Sequence, residues 1–150
     1  MSSPPTGARR VFLDSSGFLA LIHPHDAYHQ EARTCWTWLT DHHWMTATTN
    51  FILAETHALF LARLGPAHAT AFVRELPHST ARIERVTVAD EQRAVAIIWQ
   101  YTDKGFSLTD ATSFAVMERL GITHALAYDR HFTQYGLTVL TPDVHSSWAP

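Results

Sequence analysis

Arg10-Val11-Phe12-Leu13-Asp14-Ser15-Ser16-Gly17-Phe18-Leu19-Ala20-Leu21-Ile22 holds two apolar runs separated by an acid. The first, Arg10 to Asp14, shows no polar alternation, as a strand covered on both faces requires. The second, Ser15 to Ile22, reads as a helix halted by Pro24, because the residue before a proline is pushed out of the helical region. A buried strand that runs into an acid and then a helix is the opening of an α/β layer structure.

The alternation recurs along the chain. Asp26 is expected to cap a helix over Ala27 to Thr40, on which Ala32, Cys35, Trp36 and Leu39 share one face. Trp44 to Ala47 reads as a strand, and Thr48-Thr49-Asn50 starts a helix that reaches about Leu64. Gly65-Pro66 then breaks the chain before a hairpin partner over Ala67 to Leu76. Arg82 to Val86, His124 to Tyr128 and Thr138 to Leu140 are further strands. Helices are expected over Ala89 to Tyr101, from Thr109 or Asp110 to near Gly121, and in a short turn over Arg130 to Tyr135. The order predicts a three-layer α/β domain, with a mainly parallel five-stranded sheet and helices on both faces. Residues 10–142 form the expected single domain, residues 1–9 a flexible lead-in and residues 143–150 a peripheral tail.

At 150 residues the chain suits one core, and its 46% hydrophobic and 17% charged content is that of a globular protein. No apolar stretch approaches a membrane-spanning length, and the N-terminus has no apolar leader, so cytoplasmic residence is expected. Cys35 is the single cysteine, which excludes an internal disulfide and cysteine-based zinc sites. A net charge of -3 gives no bulk attraction for nucleic acid, so any such partner must be recognised locally.

Carboxylates stand where packing alone would prefer other residues. Asp14 ends Val11-Phe12-Leu13, Asp129 ends Ala125-Leu126-Ala127-Tyr128, and Asp110 opens an apolar helix. Each of the three also suits a helix N-terminus, where an acid accepts unpaired amides. Glu55 has Phe51, Ile52, Ala58 and Leu59 as its helical neighbours, so it projects from an apolar stripe. Its structural alternative is an ion pair with Arg63 or Arg74. Converging acids need a compensating cation, and the chemistry that uses oxygen ligands around Mg2+ or Mn2+ is phosphoryl transfer.

Taken in order, Asp14, Glu55, Asp110 and Asp129 make the chain resemble the PIN-domain nucleases, most closely the VapC-type toxins of prokaryotic toxin-antitoxin pairs. The matching pieces are Val11-Phe12-Leu13-Asp14-Ser15-Ser16, Thr49-Asn50 through Glu55, Ser107-Leu108-Thr109-Asp110-Ala111-Thr112-Ser113-Phe114, and Ala127-Tyr128-Asp129-Arg130-His131-Phe132. They span about Val11 to Pro142. The resemblance implies a doubly wound sheet and Mg2+- or Mn2+-dependent endonucleolytic cleavage of RNA. It also implies a cognate antitoxin and a homodimer. Asp14, Glu55, Asp110 and Asp129 would be the catalytic, metal-binding set, with Ser15 and Asn50 as supporting partners. The mild acidity of the chain and the absence of another acid soon after Asp129 depart from some relatives.

Arg63, Arg74, Arg130 and His131 are candidate phosphate contacts, and Trp44 or Tyr128 candidate stacking surfaces for a base. The apolar hairpin from Phe51 to Leu76 is a candidate dimer or antitoxin surface. A zinc site on His25 and His29 lacks the His-Glu-x-x-His pattern, a phosphoacceptor domain would need paired acids after the first strand, and a nucleotide switch would need a glycine-rich loop. The remaining rival is a PIN-like module that holds RNA or protein without cutting.

Overall fold

The computed structural model describes residues 9–143. Apart from Arg9 and Asp143, the expected lead-in and tail lie outside the described residues. The sheet has the order β3-β2-β1-β4-β5, and its pairs are all parallel. Its strands are β1 (Arg10–Leu13), β2 (Met45–Thr49), β3 (Arg82–Glu84), β4 (His124–Leu126) and β5 (Thr138–Val139). Val11, Phe12 and Leu13 are buried, as the unbroken apolar run predicts for a central strand covered on both faces.

Helices α1 (Ser15–Ile22) and α2 (His29–Asp41) connect β1 to β2, and α3 (Asn50–Arg63) and α4 (Pro66–Glu75) connect β2 to β3. The return to β4 runs through α5 (Val88–Gln100) and α6 (Leu108–Leu120), and α7 (His131–Tyr135) leads to β5. From β1 the chain first winds outward one way and then, beyond β3, crosses to the other side. Right-handed crossovers therefore place the two helix sets on opposite faces. The direction reverses between β1 and β4, and in such sheets that switch point opens a crevice at the carboxyl ends of the strands.

Several boundaries move for identifiable reasons. The second helix starts at His29 and not at Ala27: Asp26 accepts from the Tyr28 N–H (2.8 Å) in a turn ahead of the helix, and Tyr28 is the N-cap. β2 runs on to Thr49, whose hydroxyl accepts from the Ile52 N–H (3.1 Å) to start α3. α6 begins at Leu108 because Ser107, and not Thr109 or Asp110, is its cap. β4 stops at Leu126, so Asp129 lies in the following loop and not at the strand end.

Gly17 is required by a close approach. A Cβ there would lie 2.3 Å from the Leu126 carbonyl oxygen, so α1 seats directly on the end of β4. Backbone cannot yield as a flexible side chain would. Gly17→Ala is expected to destabilise the fold by about 1–3 kcal/mol, the cost of overpacking a tight core. Denaturant titration checks this, and an unchanged midpoint would show that the helix can withdraw freely.

Candidate active site

Asp14 is the N-cap of α1. Its Oδ2 accepts from the Ser16 N–H (3.1 Å) and from the Ser16 hydroxyl (2.6 Å). The same hydroxyl oxygen accepts from the Tyr128 N–H (2.9 Å), and the Asp14 N–H donates to the Leu126 carbonyl (3.2 Å). Ser16 thus ties the carboxylate after β1 to the loop after β4. Asp14 is only 3% exposed, and this loss of water pushes its carboxyl up to about 7. Ser16 opposes the rise, while the nearby Glu55 and Asp110 carboxylates add to it.

Glu55 sits half-buried on α3, at the margin of the apolar stripe, and the Ser15 hydroxyl donates to its Oε1. The alternative ion pair does not form: Arg63 and Arg74 are exposed, and among the described residues neither pairs with Glu55. Thr48, buried at the end of β2, donates its hydroxyl to the Leu13 carbonyl (2.8 Å), holding the ends of β1 and β2 together. Asn50 faces elsewhere, its Oδ1 accepting from the Val86 N–H (2.9 Å) in the loop after β3.

Asp110 is the third residue of α6 and completes a capping box. Its Oδ2 accepts from the Ser107 N–H (3.0 Å), while its own N–H donates to the Ser107 hydroxyl (3.0 Å). That Oδ2 also lies 2.8 Å from His131 Nδ1, which is 3.2 Å from Asp129 Oδ1. Asp129 Oδ1 accepts from the His131 N–H (2.9 Å), and the His131 ring meets the Phe106 ring in an edge contact at 5.4 Å. One ligand atom each from Asp110, Asp129 and His131 falls within 4.8 Å of the others, a grouping that contains neither His25 nor His29.

Sequence reasoning placed His131 against a phosphate, whereas the ring sits between two carboxylates. The signal was the two-residue step from Asp129 across a short turn. Ser16, two residues after the N-cap aspartate, reaches back to Asp14, whereas the expected partner Ser15 reaches Glu55. Arg130 is exposed beside the cluster. Trp44 packs on Trp38 (5.6 Å), and one face of Tyr128 is covered by Tyr28.

Three arginines are committed to other acids. Arg119 binds Asp90 (2.9 Å), Arg93 binds Glu118 (3.0 Å), and Arg82 pairs with Glu84. Among the described residues no arginine or lysine pairs with Asp14, Glu55, Asp110 or Asp129, and the basic group at the cluster is His131. Carboxylate oxygens, those of Asp14 almost dry and without a cationic partner among the described residues, form a donor set that suits a hard divalent cation such as Mg2+ or Mn2+.

Comparison with known proteins identifies the family and the fold. Residues 11–137 match the PIN domain. The chain is 32% identical over 133 residues to the 23S rRNA-specific endonuclease VapC20 of Mycobacterium tuberculosis, in strains CDC 1551 / Oshkosh and H37Rv, covering 89% of this chain and 99% of the relative. The crystal structure of M. tuberculosis VapC20, described as a Sarcin-Ricin loop cleaving toxin, aligns with a TM-score of 0.82 at 32% identity, over 88% of this chain and 99% of that one. A toxin-antitoxin complex from Klebsiella pneumoniae shares the fold, with a TM-score of 0.61 at 16% identity over 88% of this chain and 97% of that one. FitAcB from Neisseria gonorrhoeae does so as well, at 0.60 and 14%, over 89% and 99%. A match over most of the chain, joined to a relative of this identity across nearly its full length, makes the protein a member of the PIN-domain family.

Proposed function

We propose that this protein is a divalent-metal-dependent endoribonuclease, the toxin of a toxin-antitoxin pair. Asp14, Glu55, Asp110 and Asp129 would be its catalytic, metal-holding carboxylates. The observation that carries the reading is that Asp110 and Asp129 meet at His131, with buried Asp14 close enough for the Glu55 and Asp110 carboxylates to push its carboxyl up, while among the described residues no arginine or lysine pairs with any of the four. Without a cation such a cluster is self-repelling, and a module that only bound RNA would gain stability by losing Glu55 to an apolar residue.

When bound, Mg2+ or Mn2+ would supply an activated water and neutralise charge on the scissile phosphate. The chain supplies orientation. Ser16 holds Asp14 to the loop after β4, Ser15 holds Glu55 toward β1, and the capping box fixes Asp110 on its helix. Glu55, half-exposed, would accept a proton from attacking water. With a proton on Nδ1, His131 would join Asp110 Oδ2 to Asp129 Oδ1. Arg130, exposed at the rim, can meet a phosphate of the incoming strand. VapC20 is named for cutting 23S rRNA, so structured ribosomal RNA is the first substrate class to test. A homodimer or antitoxin contact is proposed for the α3–α4 hairpin, where Leu61 and Val73 are exposed.

Cleavage of ribosomal RNA should require Mg2+ or Mn2+ and stop with chelator. Ser16→Ala is expected to lower activity about 10- to 100-fold, as loss of a group that orients a metal ligand does, and Asp110→Asn to lower it further. Gel-based cleavage assays check both. Parental rates in Asp110→Asn would favour the non-catalytic binding module instead.

The buried Asp14 also predicts a pH dependence. Its carboxyl rises from 3.8 to about 7 on folding, so the folded state holds this proton more tightly than the unfolded chain. The contribution is fully present below the unfolded value and is lost as pH rises through the folded one. Metal-free protein should therefore lose stability between about pH 4 and 7, by roughly 4 kcal/mol at about 1.4 kcal/mol per pH unit. Denaturant melts across that interval would show the slope, and Asp14→Asn should flatten it. An equal slope in the variant would assign the effect to another group.

A further inference from the structure

The ring that covers Tyr128 extends the site beyond the carboxylates. Tyr28 stacks on Tyr128 with centroids 4.5 Å apart and planes 12° from parallel, yet Tyr28 remains 46% exposed. Tyr128 is anchored through its backbone: its N–H donates to Ser16, the serine that holds Asp14, while its buried hydroxyl finds no hydrogen-bond partner among the described residues. Asp129 follows it directly in the chain.

Tyr28 is fixed as well. Asp26 accepts from its N–H (2.8 Å), its carbonyl accepts from the Ala32 N–H (2.8 Å), and the adjacent His29 ring bonds the Ala20 carbonyl (2.7 Å) at the end of α1. An exposed aromatic face held this firmly gains little for the fold, since its outer side buries nothing. It does lower the entropy cost of stacking a ligand.

We propose that Tyr28 is a base-stacking platform, on whose outer face a base flanking the scissile phosphate continues the two-tyrosine pile. The inference rests on the nuclease reading for the path of the RNA. A strand whose phosphate lies at Asp129 can lay a nearby base on the surface reached through Tyr128, where Tyr28 presents its exposed ring. Stacking accepts any base but favours the large purine face over an empty sugar. Tyr28 therefore contributes to substrate affinity and not to bond cleavage.

Fluorescence anisotropy with metal-free protein tests this, using oligo(A), oligo(U) and an abasic ribose-phosphate oligomer as probes. Wild type should bind oligo(A) more tightly than the abasic strand, by about 5- to 150-fold for one stacked base. Tyr28→Leu should abolish the difference, while Tyr28→Phe and Tyr28→Trp keep it, with thermal melts confirming that each variant is folded. In cleavage assays Tyr28→Leu should raise KM and leave kcat near the parental value. A wild type that does not distinguish oligo(A) from the abasic strand, including one that binds neither, overturns the proposal. So does a Tyr28→Leu variant that retains the preference. Because binding is read without metal, a base preference in a protein unable to cut would sink the catalytic reading and leave this one standing.

Discussion

Parallel pairing of β1 with β4, with Phe12 opposite Ala125 and Leu13 opposite Leu126, brings together two segments more than a hundred residues apart in sequence and ends both at the same height. Just beyond the pairing, the Asp14 N–H continues the ladder to Leu126, Gly17 lets α1 lie against that same carbonyl, and the Ser16 hydroxyl reaches the Tyr128 N–H. A displacement of either strand end would separate Asp14 from the loop that carries Asp129. The site is therefore a consequence of the topological switch point, with the acids standing at the one edge of the sheet where helices diverge.

Electrostatics follow from that placement. Collecting carboxylates in a poorly hydrated crevice costs stability, and the cost shows most clearly at Asp14, held well above the ordinary carboxylate range by burial. Two arginines are held by other acids: Arg119 of α6 binds Asp90 in the first turn of α5, and Arg93 with Tyr135 holds Glu118. These ion pairs brace the α5–α6 layer and leave the crevice to its carboxylates, with His131 as their basic neighbour. A site that stores repulsion in this way is poised to take up positive charge.

The tyrosine pair shows how a neutral contact can be coupled to a charged one. Ser16 accepts from Tyr128 while donating to Asp14, so the seat of an aromatic ring and the aim of a carboxylate share one hydroxyl. Tyr28 then carries that surface outward to solvent. Expectation named Trp44 or Tyr128 as stacking surfaces; one face of Tyr128 is covered by Tyr28, a residue of the α1–α2 connection whose closeness to β4 no local pattern could reveal.

Much was legible in the chain itself. Val11-Phe12-Leu13 announced a strand buried on both faces, the alternation of runs announced a parallel sheet, and acids at the starts of helices announced the positions of Asp14 and Asp110, because these signals depend on neighbours within a few residues. Sequence alone therefore determined the layer architecture and the family. It did not determine that Asn50 would turn to Val86, that Ser16 would bridge two loops, that His131 would lie between Asp110 and Asp129, or that Glu55 would find Ser15 in place of an arginine. Those outcomes are hydrogen bonds between segments distant along the chain. Which of several competent donors reaches a given oxygen is decided by the packing of helices on the sheet, a distance that exists only once the fold has closed.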